Sequence, residues 1–205
     1  MKILLHACCG PCSIYPLAQL RRQGHQVSGY FHNPNIHPFR EFKRRLAAMR
    51  EFADRQKLDM IYDDDYGLRE YLRQVVNREE ERCRICYAMR LAEVARLAVA
   101  EGYEAFSTTL LYSRYQNHGE IRRQGDELAA RHNLTFYYED FRCGWQEGIG
   151  QAIAMGLYRQ PYCGCIYSEQ ERYDKKMRKK KSGISVTENQ KAAAETGEGQ
   201  ESGTE

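Results

Sequence analysis

HACCGPCS, residues 6–13, lies between a short apolar run, Lys2-Ile3-Leu4-Leu5, and an amphipathic stretch from Ile14 to Gln23. That order predicts a strand, a cysteine-rich turn and a helix. Cys8, Cys9 and Cys12 are therefore expected at the carboxyl end of a first strand and the mouth of a helix. Ligands bind at that edge in open α/β sheets, and a helix N-terminus favours thiolate over thiol. The alternative is a buried structural role, since cysteine packs as a small hydrophobe. Two further cysteine groups downstream weigh against it.

Beyond this stretch the chain keeps the same alternation. Gln26 to His32 reads as a second strand, followed by the loop Asn33-Pro34-Asn35-Ile36-His37-Pro38. Phe42, Leu46, Met49 and Ala53 recur at helical spacing within Phe39 to Gln56. A strand is expected over Leu58–Tyr62, and helices over Leu68–Val76 and Cys83–Glu101, the latter stopped by Gly102. Tyr103–Thr108 and Leu134–Glu139 read as strands around a helix from Gln116 to His132, and a short helix covers Gln146–Met155. Strands separated by helices in this rhythm predict a three-layer α/β fold. Its sheet would be parallel, with cysteine-rich loops at the strand C-terminal edge. The pattern leaves the strand order open.

Composition sets the class. In 205 residues, 42% are hydrophobic and 29% charged, which suits a globular protein, and a net charge of +3 says little about partners. One catalytic, metal-binding domain over residues 1–181 is expected. From Ser182 the chain is Gly, Glu, Thr and Ala with almost no large apolar residue, so 182–205 is expected to be a disordered low-complexity tail. No run approaches the roughly 18 apolar residues that suggest a membrane helix. Met1 and Lys2 lead straight into the first strand, without a signal peptide. A cytoplasmic chain is therefore expected, in which clustered thiols point to metal or catalysis rather than disulfides.

Seven of the eight cysteines fall in three groups: Cys8-Cys9-x-x-Cys12, Cys83-x-x-Cys86 and Cys163-x-Cys165; Cys143 stands alone. Cys83 and Cys86, at i and i+3, share a helix face. Gly164 would permit the bend that turns Cys163 and Cys165 inward. Adjacent Cys8 and Cys9 should diverge, so that one faces a cluster and the other an open metal site, which Cys12 would complete. One centre takes four thiolates, so seven under-use a single structural zinc. Ligands spread over the ends of different elements favour iron–sulfur over zinc. Which four form the tetrad is open.

Cys9-Gly10-Pro11-Cys12 is also the CGPC string of thioredoxins. Only seven residues precede Cys8, too few for the strand and helix that stand before that motif. A thioredoxin fold also leaves Cys83, Cys86, Cys163 and Cys165 unexplained.

HACCGPC (6–12), FHNPNIHP (31–38), CRICYAMRL (83–91), FSTTLLYS (106–113) and YRQPYCGCIYS (158–168) together resemble the cobalamin-independent epoxyqueuosine reductases, the QueH family. They occur in family order over residues 1 to about 175. The resemblance implies a sheet related to the adenine-nucleotide hydrolase-like (HUP-type) folds. It implies a 4Fe-4S cluster with an additional iron beside it, drawn from Cys8, Cys9, Cys12, Cys83, Cys86, Cys163 and Cys165. It further implies reductive removal of the epoxide oxygen of epoxyqueuosine at the wobble position of tRNA, with Cys8, Cys9 and Cys12 at the reaction centre and a low-potential electron donor. Cys143 and the tail match no family motif.

Around the thiols, His32, Asn33, Tyr158, Arg159, Gln160 and Tyr162 are the candidate tRNA contacts. Aromatic rings can stack a splayed anticodon base, and Arg159 can pair with a phosphate. Tyrosines that merely roof a cluster are the alternative. Lys175 to Lys181 reads as a phosphate-contacting patch. Asp140 with Arg142 is read as a surface ion pair, and His6 as a satisfied histidine beneath the turn. Two other functions fit parts of the pattern. A tRNA-thiolating enzyme would need a glycine-rich phosphate loop where only Gly10 is present. A zinc-binding RNA module would be closed and non-catalytic.

Overall fold

The computed structural model describes residues 1–176 and divides the chain into two compact units, Met1–Gln160 and the part from Pro161 onward. Most of the basic run, Met177 to Lys181, and the expected tail lie outside the described residues.

Five strands form the sheet of the first unit: β1 (Lys2–His6), β2 (Gln26–Phe31), β3 (Met60–Tyr62), β4 (Ala105–Thr108) and β5 (Thr135–Phe136). Their order is β3-β2-β1-β4-β5 and every pairing is parallel. The helices are α1 (Gly10–Arg22), α2 (Phe39–Gln56), α3 (Leu68–Val75), α4 (Arg82–Ala100), α5 (His118–His132) and α6 (Trp145–Ala154). Tyr30 and Phe31 are neighbours on β2, yet they join different apolar clusters. Successive strand side chains point to opposite faces, so the clusters cover the two sides of the sheet. One gathers Leu91, Val94, Ala95 and Ala98 of α4 with Phe106; the other gathers Leu17, Phe42, Met49 and Phe52 of α1 and α2. The expected three-layer parallel α/β architecture is therefore present.

Boundaries moved where local chemistry outweighed periodicity. α1 begins at Gly10, not Ile14, because Pro11 suits a first helical turn, where its missing N–H costs nothing. Gly10 is needed there: a Cβ on it would sit 2.6 Å from the Ala48 carbonyl oxygen on α2. β3 and β5 are shorter than their apolar runs, as edge strands often are. α4 ends before Gly102, whose φ of +65° is costly for other residues. In the second unit, a helix absent from the sequence reading, α7 (Ile166–Tyr173), follows the CGC segment.

β1 occupies the centre of the sheet. The chain leaves it on one side for β2 and β3, then returns beside it as β4. The carboxyl ends of β1 and β4 thus flank the topological switch point, where open α/β sheets leave a crevice. HACCGPC follows β1 there, and Thr108-Thr109 closes β4.

Candidate metal centre

Cys9 is the N-cap of α1 and Cys12 lies in its first turn, so the short loop after β1 and the helix mouth bring three thiols together. Among the described residues, Cys8, Cys9 and Cys12 form a buried triad whose sulfurs all lie within 4.8 Å of one another. The expected divergence of the adjacent pair is overturned: Cys8 Sγ and Cys9 Sγ are 3.9 Å apart. The chain bends at Cys8 and is extended again at Cys9, the cap of α1, and this turn leaves both side chains on one side. An arrangement in which Cys8 and Cys9 look at different sites is not the one this loop adopts.

A polar layer holds the triad in place. Thr109 Oγ1 accepts from the Cys8 backbone N–H at 3.0 Å and donates to Cys8 Sγ at 3.3 Å. Gln160 spans the other two thiols, with Cys9 Sγ donating to its Oε1 at 3.2 Å and its Nε2 donating to Cys12 Sγ at 3.1 Å. Beneath them Arg90, 2% exposed, donates to His6 Nε2 at 3.2 Å, to Asn33 Oδ1 at 2.7 Å and to Cys86 Sγ at 3.7 Å. Asn33 Nδ2 in turn donates to the Ala7 carbonyl at 3.0 Å, tying the loop after β2 to the cysteine loop. His6 is a satisfied histidine: its Nδ1 donates to Thr108 Oγ1 at 2.9 Å, and its Nε2 is the acceptor for Arg90. Burial and the Arg90 charge lower its pKa to about 3 and keep it neutral.

The electrostatics single out Cys8. Hydrogen bonding with Cys12 and Cys9, joined by the charge of Arg90 and the Thr109 hydroxyl, holds its thiol well below the ordinary range. Burial pushes Cys9 up, and the bonds to Cys8 and Cys9 push Cys12 up. Cys8 is thus the thiol of the three most readily ionised, with the buried cation Arg90 near it. A second buried cation, Arg45, lies within electrostatic reach of Cys9 and Cys8. It pairs with Glu41 at 2.7 Å, and Glu41 also accepts from the Tyr158 hydroxyl. An all-sulfur donor set of this kind suits soft or borderline metals such as zinc and iron–sulfur iron rather than magnesium or calcium.

The remaining candidates are spread. On α4, Cys86 is buried and Cys83 exposed. Within the second unit, Cys163 is exposed while Cys165 is buried, the latter capping α7 by accepting from Ser168 N–H at 3.4 Å. The CGC bend therefore does not bury both thiols alike. Tyr162 packs edge-on against Tyr173 at 6.3 Å. His32 pairs with Asp63 at 2.7 Å and stacks on Tyr30. Asn33 is buried, Tyr158 half-buried and Arg159 exposed. Asp140 and Arg142 form the expected surface ion pair at 2.7 Å.

The sequence reading missed Arg90, Thr109 and the Glu41–Arg45 pair. Arg90 had a signal: it stands four residues after Cys86, next to the apolar stripe of α4. Thr109 had another, as a hydroxyl just past the end of β4 beside the switch point. Nothing in the pattern of α2 marked Glu41 and Arg45 as buried, because a charged i,i+4 pair is usually a solvated one.

A parallel α/β sheet with a buried thiol triad at its switch point defines a class of proteins built around a cysteine-held metal centre. The family model described as epoxyqueuosine reductase QueH matches residues 3–171. A protein of Dehalococcoides mccartyi named epoxyqueuosine reductase QueH is 40% identical over 85% of this chain and 96% of its own length. Those of Thermotoga maritima and Streptococcus pyogenes bearing the same name are 31% and 34% identical, over 84% and 82% of this chain and 93% and 70% of their own. The chain belongs to the QueH family.

Proposed function

We propose that this chain is an epoxyqueuosine reductase, acting in the cytoplasm on tRNA that carries epoxyqueuosine at the wobble position. The observation that carries the reading is the buried Cys8–Cys9–Cys12 triad at the switch point of a QueH-family chain. A thiolating enzyme would place a phosphate-binding loop there, and the triad fills that position instead. The order β3-β2-β1-β4-β5 supports the relation to HUP-type folds that the resemblance implies.

The reaction removes the epoxide oxygen and leaves a cyclopentene; two electrons and two protons enter and one water leaves. We propose a 4Fe-4S cluster and an additional iron as cofactors, with Cys8, Cys9, Cys12, Cys83, Cys86, Cys163 and Cys165 as the ligand pool, and a low-potential electron donor as partner. When bound, such centres supply single electrons at low potential and an open Lewis-acid position for the oxygen. The protein's share is placement and charge. Thr109 and Gln160 fix the directions of the three sulfurs. Arg90, Arg45 and the N-terminus of α1 offset the negative charge that several thiolates bring into a buried site. Asn33 ties the two loops together, and His32 beside it is held by Asp63 and Tyr30. His32, Asn33, Tyr158, Arg159, Gln160 and Tyr162 remain the proposed substrate-side residues. Among them, exposed Arg159 suits a phosphate, and Gln160 sits against the thiols themselves.

The test is turnover of epoxyqueuosine-containing tRNA by anaerobically purified protein with a chemical reductant. Digested nucleosides should lose one oxygen, in step with the iron content of the sample. Unchanged epoxyqueuosine with iron-loaded protein would overturn the activity. Equal turnover by iron-free, zinc-loaded protein would overturn the cofactor assignment.

A further inference from the structure

Three rings run from the thiol site to the surface on the β4 side of the switch point. Tyr112, 3% exposed, belongs to the same apolar cluster as Cys8, Cys9 and Cys12. Its hydroxyl donates to the Trp145 carbonyl at 2.9 Å. Its ring stacks on Trp145 with centroids 5.2 Å apart and an interplanar angle of 28°. Tyr115 stands edge-on to the same indole at 6.2 Å and is 84% exposed. Arg114, also exposed, places its guanidinium 5.9 Å from the Trp145 ring centroid. The charge of Arg159 reaches Tyr112.

The local sequence is built to keep these rings in register. Gly148 faces Tyr112 so closely that a Cβ would lie 2.3 Å from the phenol oxygen. Ser113 Oγ accepts from the Tyr115 backbone N–H at 3.2 Å and fixes the turn that presents Tyr115. Tyr115 is the most exposed of the large apolar side chains among the described residues. Burial of apolar area does not account for its position.

We infer that Tyr115, with Trp145 and Arg114, is a stacking platform for an unpaired RNA base, seating a neighbour of the nucleoside presented to the thiol site. This rests on the tRNA substrate of the proposed function and names the surface that holds it. Three features fit single-stranded RNA. An open aromatic face accepts any base, the adjacent guanidinium adds cation–π contact and a phosphate partner, and the ladder ends at the reacting site. A paired stem has no free base face to offer such a ring.

Trp145 is the chain's one tryptophan, so its emission reports on the platform directly. The experiment titrates the anaerobically purified holoprotein with a fluorescein-labelled anticodon stem–loop RNA, following anisotropy for binding and Trp145 emission for stacking. A fully paired RNA duplex of equal length is run beside it. The stem–loop should quench Trp145 as it binds, and the duplex should quench it much less. Tyr115→Ala should weaken stem–loop binding about tenfold, and Tyr115→Phe should restore most of it. The exposed position makes unfolding of either variant no concern. Saturating stem–loop binding without any change in Trp145 emission overturns the inference. So does a Tyr115→Ala protein that binds within twofold of the parent. If the parent also reduces epoxyqueuosine tRNA, the proposed function stands without the platform.

Discussion

Cys9-x-x-Cys12 and Cys83-x-x-Cys86 have the same spacing, and both lie at the start of a helix, yet they are differently built. In the first, Cys9 caps α1 and Cys12 lies in its first turn; both are buried and bonded to Gln160, and Cys9 also meets Cys8. In the second, both residues lie inside α4, and only Cys86 turns inward, toward Arg90; Cys83 is exposed. A cap residue has extended backbone and can aim its side chain at the helix axis. Residues within the helix are committed to its radial directions. The spacing alone therefore says nothing about whether the thiols are held in advance. What surrounds them decides that.

The largest effect expected from breaking this contrast is at the preorganised group. Cys12→Ser should cut iron content and turnover by at least about 100-fold, since losing a ligand is no milder than losing an outer-shell partner. Iron analysis and single-turnover assays check it, and a fully active Cys12→Ser protein would remove this residue from the centre. If Cys12 only capped the helix, serine would serve as well.

Arg90 links the two groups, so it should come next. Arg90→Met keeps much of the length but leaves buried polar atoms of Asn33 and His6 without their donor. A loss of about 2–4 kcal/mol in stability is expected, read as a lower denaturant midpoint. A shift under about 0.5 kcal/mol, the usual range for a surface change, would show that the guanidinium is not the connection between the groups.

The smallest effect on folding should come from Cys83→Ser. In metal-free protein, its exposed position predicts a stability change within about 0.5 kcal/mol, while the iron content of reconstituted protein should fall if this thiol is a ligand. Calorimetry of the metal-free variant, set beside its iron analysis, separates the two roles. A clear loss of stability without metal would make Cys83 a packing residue and erase the contrast with Cys86.

The order of elements was readable because periodicity and punctuation are local. Apolar residues at 3.6 spacing over Phe39–Gln56 set α2 at both ends, and Gly102 marked the end of α4. The start of α1 was misplaced because a cysteine-rich segment carries no amphipathic signal, and Pro11 reads as a breaker unless it falls in the first turn. α7 was missed for a similar reason: Ile166–Tyr173 has no buried stripe to give it a period.

The sequence by itself determined that a parallel α/β unit would carry thiols at the end of its first strand, because strand, turn and helix signals all reside within a few neighbouring residues. It also determined, through five ordered motifs, the family to which the chain belongs. Only the tertiary structure decided that Cys8 and Cys9 point to one side and that Gln160 bridges Cys9 and Cys12 across 148 to 151 residues of chain. The same holds for Arg90 beneath the loop, with its bonds to His6, Asn33 and Cys86. These pairings join residues far apart in sequence, and their geometry is fixed by how helices and sheet pack, which no local spacing encodes.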